Sequence, residues 1–136
     1  MKKVFIDGET GTTGLQVRER LINHPNIEVI SIDPSKKRDI EEKRRLMKEA
    51  DVTVLCLPDA AAIDSVILAK EESCRILDAS SVHRVAEGWV YGLPELDTTQ
   101  RAKIKDAQFV SNPGCYPTGA ILLLKPLIEA GLLPAS

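Results

Sequence analysis

Long apolar runs are missing from this 136-residue chain. No stretch approaches the roughly 20 residues that a bilayer-spanning helix needs, so a membrane protein is not expected. The N-terminus, Met1-Lys2-Lys3-Val4-Phe5-Ile6, does not read as a signal peptide either, because Asp7 and Glu9 interrupt the apolar stretch. An excess of one charge is also missing. With 18 Lys and Arg against 20 Asp and Glu, the net charge is −2, and general nucleic-acid binding is disfavoured for want of a basic field. Cysteine is scarce: Cys56, Cys74 and Cys115 are an odd set without metal-ligand spacing. That argues against a disulfide framework or a metal site and for a reducing, cytoplasmic setting. Repeats, low-complexity segments and flexible linkers are absent as well. What remains is 43% apolar and 28% charged, the balance of a soluble globular domain with a core of its own.

Short β-branched runs alternate with helix-length segments. Strands are expected at Val4–Ile6, Ile27–Ile32, Val52–Leu57, Arg75–Ala79 and Phe109–Ser111, with a short extended piece at Trp89–Tyr91. Helices are expected at Thr13–Asn23, Asp39–Glu49, Ala60–Lys70, Glu95–Lys105 and Tyr116–Ala130. In the first helix Leu15, Arg18, Leu21 and Ile22 recur at helical spacing. Val52–Leu57 is nearly continuous in apolar residues, as befits a strand buried on both faces. This alternation predicts an α/β fold, a Rossmann-like doubly wound and mostly parallel sheet with helices on both faces.

Two motifs carry chemistry. Directly after the first strand comes Gly8-Glu9-Thr10-Gly11-Thr12-Thr13-Gly14, a G-x-x-G-x-x-G loop opening a helix. Glycines there permit a tight turn and let the backbone approach a pyrophosphate, which then sits on the helix N-terminus. Gly8, Thr10, Gly11, Thr12, Thr13 and Gly14 are therefore cofactor-binding candidates, and no lysine stands where a nucleoside triphosphate loop needs one. Asp33 suits the ribose hydroxyl of NAD, while Lys36, Lys37 and Arg38 suit the extra phosphate of NADP. They also read equally well as a solvated turn.

The second motif is Ser111-Asn112-Pro113-Gly114-Cys115-Tyr116-Pro117-Thr118-Gly119. Pro113 and Gly114 bend the chain just before Cys115, and an apolar helix follows. A thiol at a helix N-terminus meets unpaired backbone N–H groups and the positive end of the helix dipole, a setting that favours the nucleophilic thiolate. Cys115 is the candidate nucleophile. Cys56 and Cys74 fall in strands and read as small core residues.

The remaining candidates lie at strand ends. Pro58 borders the cofactor site, or with Asp59 simply makes a turn and cap. Arg84 suits an anionic substrate, Ser80 or Ser81 suits donation to phosphate, and Asn112 is a further substrate-binding candidate. His83 reads more readily as a structural or surface residue than as a base. His24, in Asn23-His24-Pro25, reads as helix-end chemistry.

Several motifs in one order give a resemblance. Gly8–Gly14, Leu55-Cys56-Leu57-Pro58-Asp59, Asp78-Ala79-Ser80-Ser81-Val82-His83-Arg84, Trp89-Val90-Tyr91-Gly92-Leu93-Pro94-Glu95-Leu96 and the segment 111–119 together resemble the N-acetyl-gamma-glutamyl-phosphate reductase family, in its shorter second type. The resemblance runs through essentially the whole chain. It implies NADP(H) as cofactor and Cys115 as catalytic nucleophile. It also implies reduction of N-acetylglutamyl 5-phosphate to the 5-semialdehyde and phosphate through a cysteine thioester, in arginine biosynthesis. Members of that family carry a second domain with a histidine acid/base, much of the substrate pocket and the homo-oligomer interface. Neither His24 nor His83 matches that histidine. The resemblance therefore implies that residues 1–136 are the NADP-binding domain without its substrate domain, inactive or nearly so alone. Two other readings remain open: an acyl-phosphate reductase akin to aspartate-semialdehyde dehydrogenase, and a nucleotide-binding domain with no chemistry of its own.

Overall fold

A computed structural model describes residues 1–136. Six strands form one sheet: β1 (Lys2–Asp7), β2 (Ile27–Ile30), β3 (Val52–Leu55), β4 (Ile76–Asp78), β5 (Val90–Tyr91) and β6 (Phe109–Ser111). Five helices connect them: α1 (Thr12–Leu21), α2 (Ile40–Glu49), α3 (Asp59–Glu71), α4 (Gln100–Asp106) and α5 (Cys115–Glu129), the last following β6. The sheet order is β2-β1-β3-β4-β6-β5, and every pairing is parallel. The chain leaves β1 in one direction for β2 and then crosses back to β3. The carboxyl ends of β1 and β3 thus form the switch point where such sheets open a ligand crevice.

Period-two alternation along the strands makes two cores. Phe5, Leu55 and Ile76 point to one face, where Leu46 and Met47 of α2 and Ala62, Val66 and Ala69 of α3 cover them. Val4, Ile6 and Val54 point to the other, against Val17 and Leu21 of α1. Each fully buried Phe, Leu or Ile contributes on the order of 1.5–3 kcal/mol, so the first face dominates stability. On α1, Leu21 packs inward while Leu15 and Ile22 stand exposed, so only part of the expected apolar stripe is used. α5 buries no residue, and Leu122, Leu123 and Leu124 are all exposed.

Three boundaries depart from the sequence expectation, each for a local reason. β2 stops at Ile30, because Asp33 turns back to accept the Ser35 N–H at 2.8 Å and the Ser35 hydroxyl at 2.7 Å, starting a single 3-10 turn at Pro34. The segment expected as one helix at Glu95–Lys105 is a 3-10 turn at Pro94–Leu96 and then α4. Asp97 interrupts it by accepting the Thr99 N–H at 2.8 Å and the Thr99 hydroxyl at 2.7 Å, a local alternative to helical bonding. Cys56, placed by its sequence in a strand interior, lies just past the end of β3 and is half-buried.

Candidate active site

The register across the sheet decides where the two motifs meet. Asp7 pairs with Leu55, Leu55 with Asp78, and Asp78 with Ser111, so four strands end level along one edge. The glycine loop leaves that edge after Asp7 and the cysteine loop after Ser111. Three strand spacings separate them, roughly 14 Å.

The glycine loop is shaped by backbone contact. Gly8 has φ +89°, and a Cβ there would lie 2.3 Å from the Cys56 carbonyl oxygen. A Cβ on Gly14 would lie 2.1 Å from the Gly8 oxygen and 2.8 Å from Glu9 Cα. Helix and strand are therefore as close as backbone allows, and only glycine fits. The Gly11 N–H donates to the Gly8 carbonyl at 3.1 Å. The cap residue Gly11 supplies no side chain to the helix end, and the N–H groups of Thr12, Thr13 and Gly14 find no acceptor within the chain. Three unpaired donors at the positive end of α1 fit a phosphate. Glu9, a carboxylate inside this loop, is offset by Arg18 at 2.6 Å.

Beside the loop, Gly8, Thr10, Ser31, Ile32, Lys37 and Leu57 border a cleft of about 390 Å³. Lys37 Nζ lies 3.3 Å from Thr10 Oγ1 at the border of this cleft and has no carboxylate partner, and the side chain is exposed. Asp33, the competing candidate, already holds Ser35 through Oδ1, and those bonds keep its carboxyl below the usual range. Beneath, Asp7 is buried and accepts from Ser65 Oγ at 2.8 Å and Lys43 Nζ at 2.9 Å, tying β1 to α2 and α3. Pro58 is exposed as the residue preceding α3 on the same edge.

At the other loop, Cys115 is the first residue of α5 and is exposed. Gly114 caps the helix without a side chain, and the N–H groups of Cys115 and Tyr116 are unpaired. Gly114 is also the seat of Arg84: a Cβ on this glycine would lie 2.7 Å from one guanidinium nitrogen. Arg84 makes no ion pair, and its Nε is buried without a partner. An uncompensated cation thus lies one residue from the thiol. Asn112 is exposed, and its N–H donates to the Asp78 carbonyl at 2.7 Å. The other two thiols differ: burial pushes the pKa of both Cys56 and Cys74 upward.

Two candidates lie at the expected edge but have their hydroxyl protons engaged within the chain. Ser80 is buried and donates its hydroxyl to Asp78 Oδ2 at 2.6 Å, so its proton is not offered to a ligand. Ser81 likewise donates to Asp59 Oδ2 at 3.0 Å. His83 is buried, with Nδ1 2.5 Å from Asp78 Oδ2 and its ring stacked on Trp89 at 4.1 Å. His24 Nδ1 accepts the Asn26 N–H at 3.2 Å, which is turn chemistry. Asp78 had been given no role, although Asp-x-Ser after a strand is the signature of a side chain that turns back on its own backbone.

A parallel doubly wound sheet with a glycine loop and the free N–H groups of a helix N-terminus at its switch point defines a dinucleotide-binding domain. Residues 3–107 match the family model "Semialdehyde dehydrogenase, NAD binding domain", and the chain belongs to that family. An N-acetyl-gamma-glutamyl-phosphate reductase of Trichormus variabilis is 54% identical over 134 residues, covering 98% of this chain and 42% of its own length. One from Chelativorans is 50% identical over 133 residues, covering 98% of this chain and 43% of its own length. The chain thus spans less than half the length of the curated relatives it matches. Among solved structures, aspartate semialdehyde dehydrogenase from Francisella tularensis superposes with a TM-score of 0.75 at 17% identity, covering 96% of this chain and 42% of that one. Aspartate semialdehyde dehydrogenase with NADP from Candida albicans gives 0.68 at 20%, covering 96% and 47%. These two likenesses establish the fold. No helix is long and apolar enough to cross a membrane.

Proposed function

We propose that this chain is the NADP-binding, nucleophile-bearing part of an N-acetyl-gamma-glutamyl-phosphate reductase. The observation that carries the reading is the level edge of β1, β3, β4 and β6, which sets the glycine loop and Cys115 along one edge of one sheet, with β3 and β4 between them. Half-identity to reductases across nearly the whole chain supports it and favours N-acetylglutamyl 5-phosphate over aspartyl phosphate as substrate.

Gly8, Gly11 and Gly14 would let a pyrophosphate approach the N–H groups of Thr12, Thr13 and Gly14. Lys37 and Thr10 would hold the 2′-phosphate, and Pro58 would border the site. When bound, the dinucleotide supplies hydride. The Cys115 thiolate attacks the acyl carbon, a C–S bond forms as the carbonyl π pair moves to oxygen, and that pair returns as the C–O bond to phosphate breaks and its electrons leave on phosphate. Arg84 offsets the phosphate charge, Asn112 contacts the substrate, and the unpaired Cys115 N–H stabilises oxygen charge in the tetrahedral stage. On this reading the histidine acid/base and the rest of the substrate pocket, which the family resemblance implies, would lie in the part of the relatives that this chain does not match.

Competitive alkylation and dinucleotide titration test the proposal together. Cys115 is expected to react with iodoacetamide well before Cys56 and Cys74, and NADPH to bind more tightly than NADH. Faster labelling at either of the other cysteines, or no affinity for either dinucleotide, would overturn it.

A further inference from the structure

The Arg84 cation has no polar contact of its own to hold it beside Cys115, yet its backbone lies in a segment without regular structure. Between Asp78 and Val90 the loop's turn bonds are long, with Arg84 N–H to the Ser81 carbonyl at 3.4 Å and Ala86 N–H to the His83 carbonyl at 3.2 Å. Its firm attachments are elsewhere. Asp78, fully buried at the end of β4, accepts the Ser80 N–H at 2.9 Å, the Ser80 hydroxyl at 2.6 Å and His83 Nδ1 at 2.5 Å. The His83 ring is then pressed flat on Trp89, at 12° between planes, and Trp89 leans on Phe109 of β6 at 5.2 Å. His83 is thus fixed from its edge by β4 and from its face by β6. The next residue in the chain is Arg84. Asp78 reaches the opposite side of the site as well, because its carbonyl accepts the Asn112 N–H at 2.7 Å.

We propose that Asp78, His83 and Trp89 form a positioning unit that sets the Arg84 guanidinium against Gly114 and thereby makes the surroundings of Cys115 selective for anionic reactants. None of the three touches the reacting atoms; they act through Arg84. This rests on the reading of Arg84 and Cys115 as one anion-accepting site.

The test compares two alkylating reagents on the 136-residue chain at low ionic strength, with adducts at Cys115 counted by peptide mass spectrometry. Iodoacetate is an anion and iodoacetamide is neutral, and both consume the same thiolate. The ratio of their rate constants cancels exposure and thiolate fraction and reports local charge alone. Removing a unit charge that sits against Gly114, the residue next to the thiol, with solvent close by, changes that ratio about three- to tenfold. Arg84→Gln is expected to lower it by that factor, and 0.5 M salt to blunt the difference. His83→Ala and His83→Phe are expected to lower it nearly as far, and the His83→Ala/Arg84→Gln pair no further than Arg84→Gln alone. Trp89→Leu, which keeps both hydrogen-bonding partners, is the variant that decides if the histidine variants melt without cooperativity; it is expected to lower the ratio by at least half as much on a logarithmic scale. A ratio that falls in Arg84→Gln but stays at the native value in the folded His83 or Trp89 variants overturns the positioning unit and leaves the anion site standing. A ratio that does not move in Arg84→Gln overturns the anion site itself.

Discussion

Gly14→Ala puts one methyl group into the tightest contact of the nucleotide loop. The new Cβ would sit 2.1 Å from the Gly8 oxygen and 2.8 Å from both the Gly8 carbonyl carbon and Glu9 Cα. All three are backbone atoms, so no side chain can swing aside. Alanine gains about 1 kcal/mol over glycine within a helix, whereas forcing an extra carbon into a packed site costs about 1–3 kcal/mol. Relief here demands that the Gly8–Glu9 segment move by about an ångström, at the upper end of that cost or beyond. A net loss of about 2 kcal/mol or more lowers the melting temperature by about 6–10 °C for a chain of this size. The same movement disturbs the bond from Gly11 N–H to Gly8 oxygen and the three unpaired donors behind it. NADPH affinity is therefore expected to fall at least tenfold, measured by titration calorimetry beside the thermal melt. Gly11→Ala is the contrast. Its backbone is extended at φ −78°, ψ 168°, and its Cβ would meet only the Gly8 oxygen at an ordinary 3.5 Å. That variant is expected to melt within about 3 °C of the native chain, losing at most a modest capping preference. A Gly14→Ala chain that melts no lower than native and binds NADPH as well would refute the claim that backbone contact shapes this loop.

Two further outcomes follow from the same geometry. Of the three cations that line the cleft, Arg18 is paired with Glu9 and Lys43 with Asp7. Lys37→Ala removes the third, which has no carboxylate partner, and is expected to weaken NADPH about five- to tenfold while changing NADH less than twofold, as read by fluorescence titration. Lowering pH should destabilise the fold progressively. Arg45 holds Glu42, Lys3 holds Glu49, Arg44 and Lys48 hold Glu72, and hydrogen bonds hold Asp33 and Asp97, each with its carboxyl below the usual range. A depressed carboxyl contributes stability that is full above its unfolded value, about 3.9–4.3, and is lost as pH falls through the folded one. Melting temperature is thus expected to hold between pH 7 and 5 and to decline below about 4; a flat profile down to pH 3 would contradict these pairings.

Much of the scaffold could be read from residue pattern because the parallel core strands are short, apolar and separated by recognisable helices. Phe109–Ser111 needed no tertiary knowledge, and the strand expected at Val52–Leu57 is there, ending two residues earlier at Leu55. What failed was local polar competition: Asp33 and Asp97 each turn back on a serine or threonine two residues on, and so end or split an element whose periodicity seemed continuous. The site followed the same division. Gly8, Gly14 and Cys115 announce themselves through spacing, since backbone approach and helix entry are sequential facts. The commitment of Ser80 to Asp78, the seat of Arg84 on Gly114 and the orientation of Lys37 arise between segments far apart in the chain, where no window of sequence records them.

The level register of Asp7, Leu55, Asp78 and Ser111 makes the sheet a measuring device. The interval between phosphate cradle and thiol is counted in whole strands, so substitutions in helices or loops cannot adjust it continuously. Only inserting, deleting or slipping a strand changes the count, and a slip by one residue would turn every side chain of that strand to the opposite face. The reach between the two loops is therefore quantised by topology, leaving side chains free to diversify around a fixed gauge.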